Sequence, residues 1–156
     1  MKIFDNMKKT IFYIFTAALC LLTACEKEPT MAEKLVGDWH CTATSTDAEI
    51  YVTFRAENTF TLYQQIGEGA FRVYNGSYRL GAISDGSTYV LSGEYNDGTA
   101  WGTSYELKSE DTNCFTLTGE GITETYDRVE SGIPAEVIAS SVTVVKSEGE
   151  DWKPFL

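Results

Sequence analysis

Cysteine and histidine are the residues whose chemistry could define a site in this chain of 156 residues. The cysteines are Cys20, Cys25, Cys41 and Cys114, and His40 is the single histidine. A metal ligand normally has companion ligands, and a nucleophile needs a neighbouring base. The acidic residues are scattered, without a calcium-loop spacing or a glycine-rich phosphate loop. We therefore expect His40 to be a surface residue, and we expect no catalytic residue, no metal and no cofactor. The protein is predicted not to be an enzyme.

Residues 1–24 have the three-part layout of a cleaved export signal. A pair of lysines precedes the apolar run 11–22, and the small residues Thr23 and Ala24 follow it. This run has 12 residues, whereas a membrane-spanning helix needs about 20. We therefore predict a signal peptide rather than a transmembrane helix.

The segment Leu22-Thr23-Ala24-Cys25 resembles the lipobox of bacterial lipoproteins. In that family the cysteine sulfur receives diacylglycerol, cleavage makes the cysteine the first residue, and its amine is then acylated, for example by palmitate. Several acyl chains anchor a protein stably, whereas one chain gives marginal binding. The resemblance implies that Cys25 is lipidated and that residues 25–34 form a tether. The alternative is a plain secretory signal with an incidental cysteine.

The chain that follows the predicted signal is strongly acidic. Residues 1–24 contain three of the 12 basic and one of the 23 acidic residues, so 9 basic and 22 acidic residues remain, a net charge of −13. Phosphate binding requires a basic surface, so this charge disfavours nucleic acid as a partner. The remaining length of 132 residues suits one domain with an apolar core.

Eight short alternating runs predict strands between residues 35 and 130. They cover residues 37–44, 50–55, 59–64, 71–80, 88–94, 99–107, 114–118 and 122–129. Turn residues separate them, including Ala56-Glu57-Asn58, Asn96-Asp97-Gly98 and Gly119-Glu120-Gly121. Consecutive hairpins favour an all-β, antiparallel up-and-down barrel. A β-sandwich is the competing fold, but it normally needs longer crossover connections.

Alternation assigns the apolar residues to the interior and places polar residues such as His40 outside. The predicted inward residues are Trp39, Cys41, Ile50, Val52, Phe54, Phe60, Leu62, Phe71, Val73, Tyr78, Leu80, Tyr89, Leu91, Trp101, Tyr105, Leu107, Phe115 and Leu117. We predict that Tyr78, Tyr89, Trp101 and Tyr105 bind ligand, because these residue types combine an apolar face with a polar tip. An eight-stranded barrel can instead be packed shut, and the bulky inward residues favour a mostly filled interior.

Several short motifs resemble those of lipocalins, over roughly residues 35–129. The first strand opens with Leu35-Val36-Gly37-Asp38-Trp39, like the Gly-x-Trp signature, and the last ends with Tyr126-Asp127-Arg128-Val129, similar to an aromatic-x-Arg closure. Further segments are similar to lipocalin-like domains of Bacteroidetes-type lipoproteins: Glu57-Asn58-Thr59-Phe60, Gly76-Ser77-Tyr78 and Phe115-Thr116-Leu117. The resemblance implies a lipocalin-like barrel over residues 35–130, with Trp39 plugging one end and Arg128 lying across its ring.

The two remaining cysteines, Cys41 and Cys114, differ in the face that alternation assigns to them. Cys41 shares the inward parity of Trp39, whereas Cys114 has outward parity, so we expect two free thiols.

In residues 131–156, Pro134 is expected to begin a short helix, followed by a β-branched run at 142–145 and an apolar end. We expect this tail to pack on the barrel; partner binding through it is the alternative.

Together these patterns predict a lipoprotein that binds a small hydrophobic molecule or glycan fragment. The alternative is a structural or protein-interaction lipoprotein with a filled barrel and an envelope protein as partner. The membrane is the expected partner of the N-terminal lipid. We expect the outer membrane of the cell envelope, and Glu26-Lys27-Glu28 leaves the periplasmic and surface faces both open.

Overall fold

The computed structural model describes residues 28–43, 47–83, 88–144, 154 and 156. The predicted signal peptide and the predicted lipidation site, Cys25, lie outside this part of the chain. Nine strands and two short helices are described: α1 Met31–Leu35, β1 Gly37–Ala43, β2 Ala48–Phe54, β3 Thr59–Ile66, β4 Arg72–Ala82, β5 Thr88–Tyr95, β6 Tyr105–Ser109, β7 Cys114–Gly119, β8 Ile122–Arg128, α2 Ala135–Ala139 and β9 Val142–Thr143.

Strands β1 to β8 form a closed antiparallel barrel. Each strand pairs with the next along the chain, and β8 returns to pair with β1, where Trp39 faces Arg128. Strand β9 lies outside and pairs in parallel with β4. Closure gives each of the eight strands two neighbours and so removes the exposed edges of an open sheet. The prediction of an eight-stranded, lipocalin-like barrel with a packed C-terminal tail is confirmed.

The turns form where the sequence offers residues that tolerate positive φ. Asn58 has φ 58° between β2 and β3, and Gly98 has φ 82° after β5. Between β7 and β8, Glu120 and Gly121 have φ 51° and 82°, which is the geometry of a tight two-residue hairpin. These three turns were predicted from their residue types.

The sixth strand is shorter than predicted. Alternation predicts strand over residues 99–107, but β6 begins only at Tyr105. Ala100 makes an isolated bridge to Glu94, and the Trp101 amide donates to the Gly93 carbonyl at 2.9 Å. The chain before β6 therefore folds back on the end of β5, which carries Trp101 into the interior.

The predicted inward direction is wrong for Phe71 and Val73. In the pairing of β3 with β4, Leu62 faces Tyr74 and Tyr63 faces Val73, so Tyr74 points inward and Val73 outward. Phe71 is buried, but on the outer face, with its ring centroid 6.1 Å from that of Tyr51. Phe71 and Val73 are apolar although they face outward, because the C-terminal tail covers this part of the exterior.

The tail packs on the barrel through backbone hydrogen bonds and buried side chains. Pro134 precedes α2, and Val137 of that helix is buried. The amide of Val142 then donates to the Phe71 carbonyl at 2.7 Å, which adds β9 beside β4. Leu156 is buried within the core cluster.

One end of the barrel is covered by α1. Thr30 and Glu33 form a capping box that starts this helix, and Met31 and Leu35 place its apolar side in the core. The helix therefore overlaps the C-terminal part of the predicted 25–34 tether. We call this end, where β1 begins, the closed end and the opposite end the far end.

Trp39 and Arg128, the two residues implied by the resemblance, meet at the closed end. The Trp39 indole N–H donates to the Leu35 carbonyl at 2.8 Å, and the Arg128 guanidinium lies 4.2 Å from the Trp39 ring centroid. Gly37 has φ 146°, and a Cβ there would lie 2.2 Å from an Arg128 nitrogen. A glycine is therefore required beside the arginine.

Candidate functional site

The four residues predicted to bind ligand belong to one core cluster or pack against it. Tyr78 lies near the closed end, where its hydroxyl donates to the Arg55 carbonyl at 2.9 Å and its ring packs against Phe54. Burial, followed by the charge of Glu57, raises the Tyr78 pKa above its ordinary value. Tyr89 faces Leu107 near the same end. The Trp101 ring lies over Gly93, which is the cross-strand partner of Tyr78. Tyr105 pairs with Leu91, two residues from Tyr89, so the inner face of the same strands carries all four residues.

Five aromatic residues form what we call the far-end cluster. Tyr74, Tyr95, Trp101 and Tyr105 lie towards the far end, and Phe60 contacts them from the start of β3, on the closed-end side. The Phe60 ring contacts Trp101 at 5.1 Å and Tyr95 at 5.7 Å between centroids, both edge to face. Trp101 lies 6.2 Å from Tyr105, and Tyr74 lies 5.9 Å from Tyr95. Such aromatic pairs contribute about 0.5–1.5 kcal/mol each beyond their buried area, so the cluster is a stable apolar wall.

Two inward glycines make room for the largest rings of this cluster. A Cβ on Gly93 would lie 2.5 Å from a Trp101 ring carbon. A Cβ on Gly119 would lie 2.7 Å from a Tyr105 ring carbon. Glycine in a strand often marks a close approach, and here it lets both rings approach the backbone of the sheet closely.

Tyr74 and Tyr95 were missed from the sequence. Tyr74 was missed because the first part of the fourth run, Phe71 to Val73, was assigned to the wrong face of the sheet. Tyr95 was missed because the fifth strand was ended one residue too early, although it continues the inward alternation of Leu91 and Gly93. That alternation is a signal by which Tyr95 could have been found.

Two buried donors of the interior lack a nitrogen or oxygen partner among the described residues. They are the Trp101 indole N–H and the Tyr126 hydroxyl, and the hydroxyl has the Cys41 thiol, a weak acceptor, beside it. Tyr126 is fully buried, and this burial, followed by nearby groups that include Cys41 and Tyr105, holds its pKa well above its ordinary value. The hydroxyl is therefore protonated and can donate. Leaving such a donor unsatisfied costs about 1–3 kcal/mol.

Two further polar side chains lie inside the barrel. Glu124 is buried and accepts from the Cys41 thiol, with 3.6 Å between sulfur and oxygen. Gln64 is also buried. Burial, and then the charges of Glu120 and Glu124, raise the Tyr105 pKa, so Glu124 is near the cluster. An apolar wall with a few polar groups is the usual composition of a small-molecule site.

A second group of ionisable residues lies on the exterior. The His40 Nε2 is 2.8 Å from a Glu49 carboxylate oxygen, and the His40 ring stacks on Tyr51 at 4.5 Å. Burial, and then the hydrogen bond with Glu49, raise the Tyr51 pKa to about 12. His40 points outward, as alternation predicted. In the part of the chain that the structure describes, no three His, Cys, Asp or Glu residues are grouped to hold a metal ion.

The prediction of two free thiols is confirmed. Cys41 is buried in the barrel, and Cys114 is half-buried on the outer face beside Asp127. Burial, followed by the hydrogen bond with Asp127, raises the Cys114 pKa to about 11. The thiolate is the reactive form, and its fraction at pH 8 is then about a hundredth of that of a thiol with a pKa of about 9.

We therefore expect Cys114 to react slowly with iodoacetamide at pH 8 and faster as the pH rises towards 11. Because the raised pKa depends partly on Asp127, the variant Asp127→Asn is expected to react several-fold faster at pH 8. Mass spectrometry of the peptide that contains Cys114 measures the rate, with Asp97→Asn as the control. An equal rate in Asp127→Asn and the natural protein would contradict the assigned cause.

No described helix has the length and apolar character needed to cross a membrane. Comparison with protein-family models, with curated proteins and with solved structures finds no significant match for this chain. The function is therefore inferred from the geometry of the barrel itself.

Proposed function

We propose that this protein is a membrane-anchored lipoprotein whose barrel binds a small hydrophobic molecule or glycan fragment at the far end. The observation that carries the binding proposal is the buried indole N–H of Trp101, which belongs to the aromatic wall and has no partner among the described residues. The buried Tyr126 hydroxyl, whose pKa responds to the nearby Tyr105, is the second donor. A ligand with an acceptor oxygen would satisfy a donor that the fold otherwise leaves unpaired. This gain would add to the burial of its apolar part against the rings.

The buried donors give a test in which stability and binding change in opposite directions. Tyr126→Phe removes the buried hydroxyl, so we expect the free energy of unfolding of the ligand-free protein to rise by about 1 kcal/mol. The same change removes a donor to the ligand, so we expect about a fivefold loss of affinity. The matched control is Tyr63→Phe, because Tyr63 lies on the outer face of β3.

Native mass spectrometry of the protein from residue 26 onward, purified from its own cells, measures the binding. All members of the core cluster lie between Met31 and Leu156, and the sheet closes within them, so this segment contains a complete core. We expect a small-molecule adduct that is lost on denaturation and whose occupancy falls in Tyr126→Phe. If both proteins show only the mass of the polypeptide and have equal free energies of unfolding, the binding proposal is contradicted.

The anchoring proposal depends on the lipobox-like segment that ends at Cys25. We propose that Cys25 carries diacylglycerol and an N-acyl chain such as palmitate, and that it tethers the barrel to the outer membrane, on its periplasmic or its outer face. Cells grown with an alkyne-labelled palmitate would label the natural protein and Cys41→Ser, but not Cys25→Ser. Protease treatment of intact cells would distinguish the two faces.

A second candidate is a protein-interaction lipoprotein without a small ligand. Ile138 of α2 is 54% exposed and Val142 of β9 is 58% exposed, and exposed apolar residues on one segment suit an envelope protein partner. If the natural protein carries no adduct but crosslinks to another envelope protein, and Ile138→Ser abolishes that crosslink, this candidate replaces the first.

A further inference from the structure

Leu156 is a tail residue within the core cluster at the far end. Its exposure is only 2%, and the Tyr95 hydroxyl donates to its carbonyl oxygen. Tyr95 itself contacts Phe60 and Tyr74 of the far-end cluster. A residue from the tail thus lies against the aromatic wall to which the proposed function assigns the ligand.

The barrel does not need Leu156 to close. The eight strands pair in a complete ring between Gly37 and Arg128, and the nearest tail strand, β9, contributes only two residues outside that ring. Leu156 fills space in the interior without belonging to the sheet. It can therefore leave without breaking a strand pairing.

The contacts of Leu156 define a ligand chemistry. An isobutyl side chain lies in an apolar setting, and a carbonyl oxygen next to it accepts from a phenol. Burial, and then the nearby Tyr105, Tyr74 and Asp97, raise the Tyr95 pKa above its ordinary value, so the hydroxyl stays protonated and donates. The Phe60 ring meets Tyr95 and Trp101 edge to face, so these rings contact one another rather than present one flat platform for a sugar.

We propose that Leu156 occupies the ligand position and that the ligand which displaces it carries an aliphatic acyl group, whose oxygen accepts from Tyr95. This inference rests on the proposed function and narrows its ligand from hydrophobic or glycan compounds to acyl compounds. Because the site is open only when Leu156 has left, the apparent affinity is reduced by the fraction of molecules in which it is displaced.

Replacing Leu156 tests this proposal. The probe is 11-(dansylamino)undecanoic acid, an aliphatic acid whose fluorescence reports transfer to an apolar site, titrated into the protein from residue 26 onward. Leu156→Ser is expected to bind the probe about tenfold more tightly than the natural protein, equivalent to about 1.4 kcal/mol. Ile138→Ser, which changes an exposed tail residue, is the matched control and is expected to bind with unchanged affinity.

A second variant tests the role of Tyr95. In the Leu156→Ser background, Tyr95→Phe keeps the ring but removes the donor, so we expect about a fivefold loss of the gained affinity. Circular dichroism at the titration temperature verifies that each variant is folded. If Leu156→Ser is unfolded, Leu156→Ala replaces it with the same expected direction.

The outcomes separate this inference from the proposed function. Equal affinity in Leu156→Ser and the natural protein would overturn the inference and leave the binding proposal standing. Binding of tri-N-acetylchitotriose but not of the dansylated acid would also overturn the inference, in favour of a glycan. Failure of both probes with every variant, together with a bare native mass, would overturn both proposals.

Discussion

Replacing Trp39 with alanine is expected to lower the free energy of unfolding by about 4 kcal/mol. Trp39 is 2% exposed, its ring centroid lies 4.6 Å from that of Phe115, and its indole N–H donates to the Leu35 carbonyl. The substitution removes the ring, leaves a cavity at the closed end, and removes the hydrogen bond between β1 and α1. A small domain has about 5–15 kcal/mol in total, so a large fraction of the stability is at risk.

Urea unfolding followed by tyrosine fluorescence and circular dichroism measures this change. Trp39→Phe is the conservative variant: it retains an aromatic ring but loses the indole donor, so its loss is expected to be less than half as large. Tyr63→Ala removes an aromatic side chain from the outer face and is the matched control. A loss in Trp39→Ala no greater than that in Tyr63→Ala would contradict the role assigned to the closed end.

Replacing Arg128 with methionine is expected to lower the free energy of unfolding by about 3 kcal/mol. The guanidinium donates to the carbonyls of Val36, Lys34 and Thr112 at 3.0, 2.6 and 3.1 Å, in addition to its position over Trp39. One side chain thus joins the end of α1, the start of β1 and the turn before β7. Methionine keeps the aliphatic length but supplies none of these donors.

The control for this substitution is Arg79→Met, an exposed arginine on β4 whose loss should leave the unfolding midpoint unchanged. The double variant Trp39→Ala/Arg128→Met should lose less than the two single losses combined, because each residue depends on the other for part of its contribution. Simple additivity, or a midpoint for Arg128→Met equal to that of Arg79→Met, would contradict the proposed coupling.

Local patterns were sufficient to predict the barrel strands and most of their faces. Trp39, Val52 and Leu62 alternate with polar neighbours, and all three lie in the core. Period-2 alternation reports which face is buried, because successive side chains of a strand point to opposite sides. Turn residues such as Asn58 and Gly98 tolerate positive φ, and they divide the chain into hairpins. Strand number, order and antiparallel direction follow from these local properties.

The interior of the far end was not predictable in the same way. Phe71 and Val73 continue an apolar alternation, yet both face outward, because the tail provides a second surface on which an apolar residue can be buried. Trp101 was assigned correctly to the interior but for the wrong reason, since it lies in the connection before β6. Glu124 is inward although its side chain is polar. Alternation reports burial, and it does not report which neighbour causes the burial.

By itself, the sequence of this protein determined an all-β chain of eight strands, an expected export signal with a lipobox-like cysteine, and an acidic surface. Only the tertiary structure decided that Trp101 lies over Gly93 beside Tyr78, that Tyr74 and Tyr95 join the cluster, and that Leu156 lies among them. The physical reason is the distance along the chain over which each effect acts. Backbone preference and side-chain period act between neighbours along the chain, whereas a site depends on strand register, glycine gaps and tail packing between residues far apart in sequence.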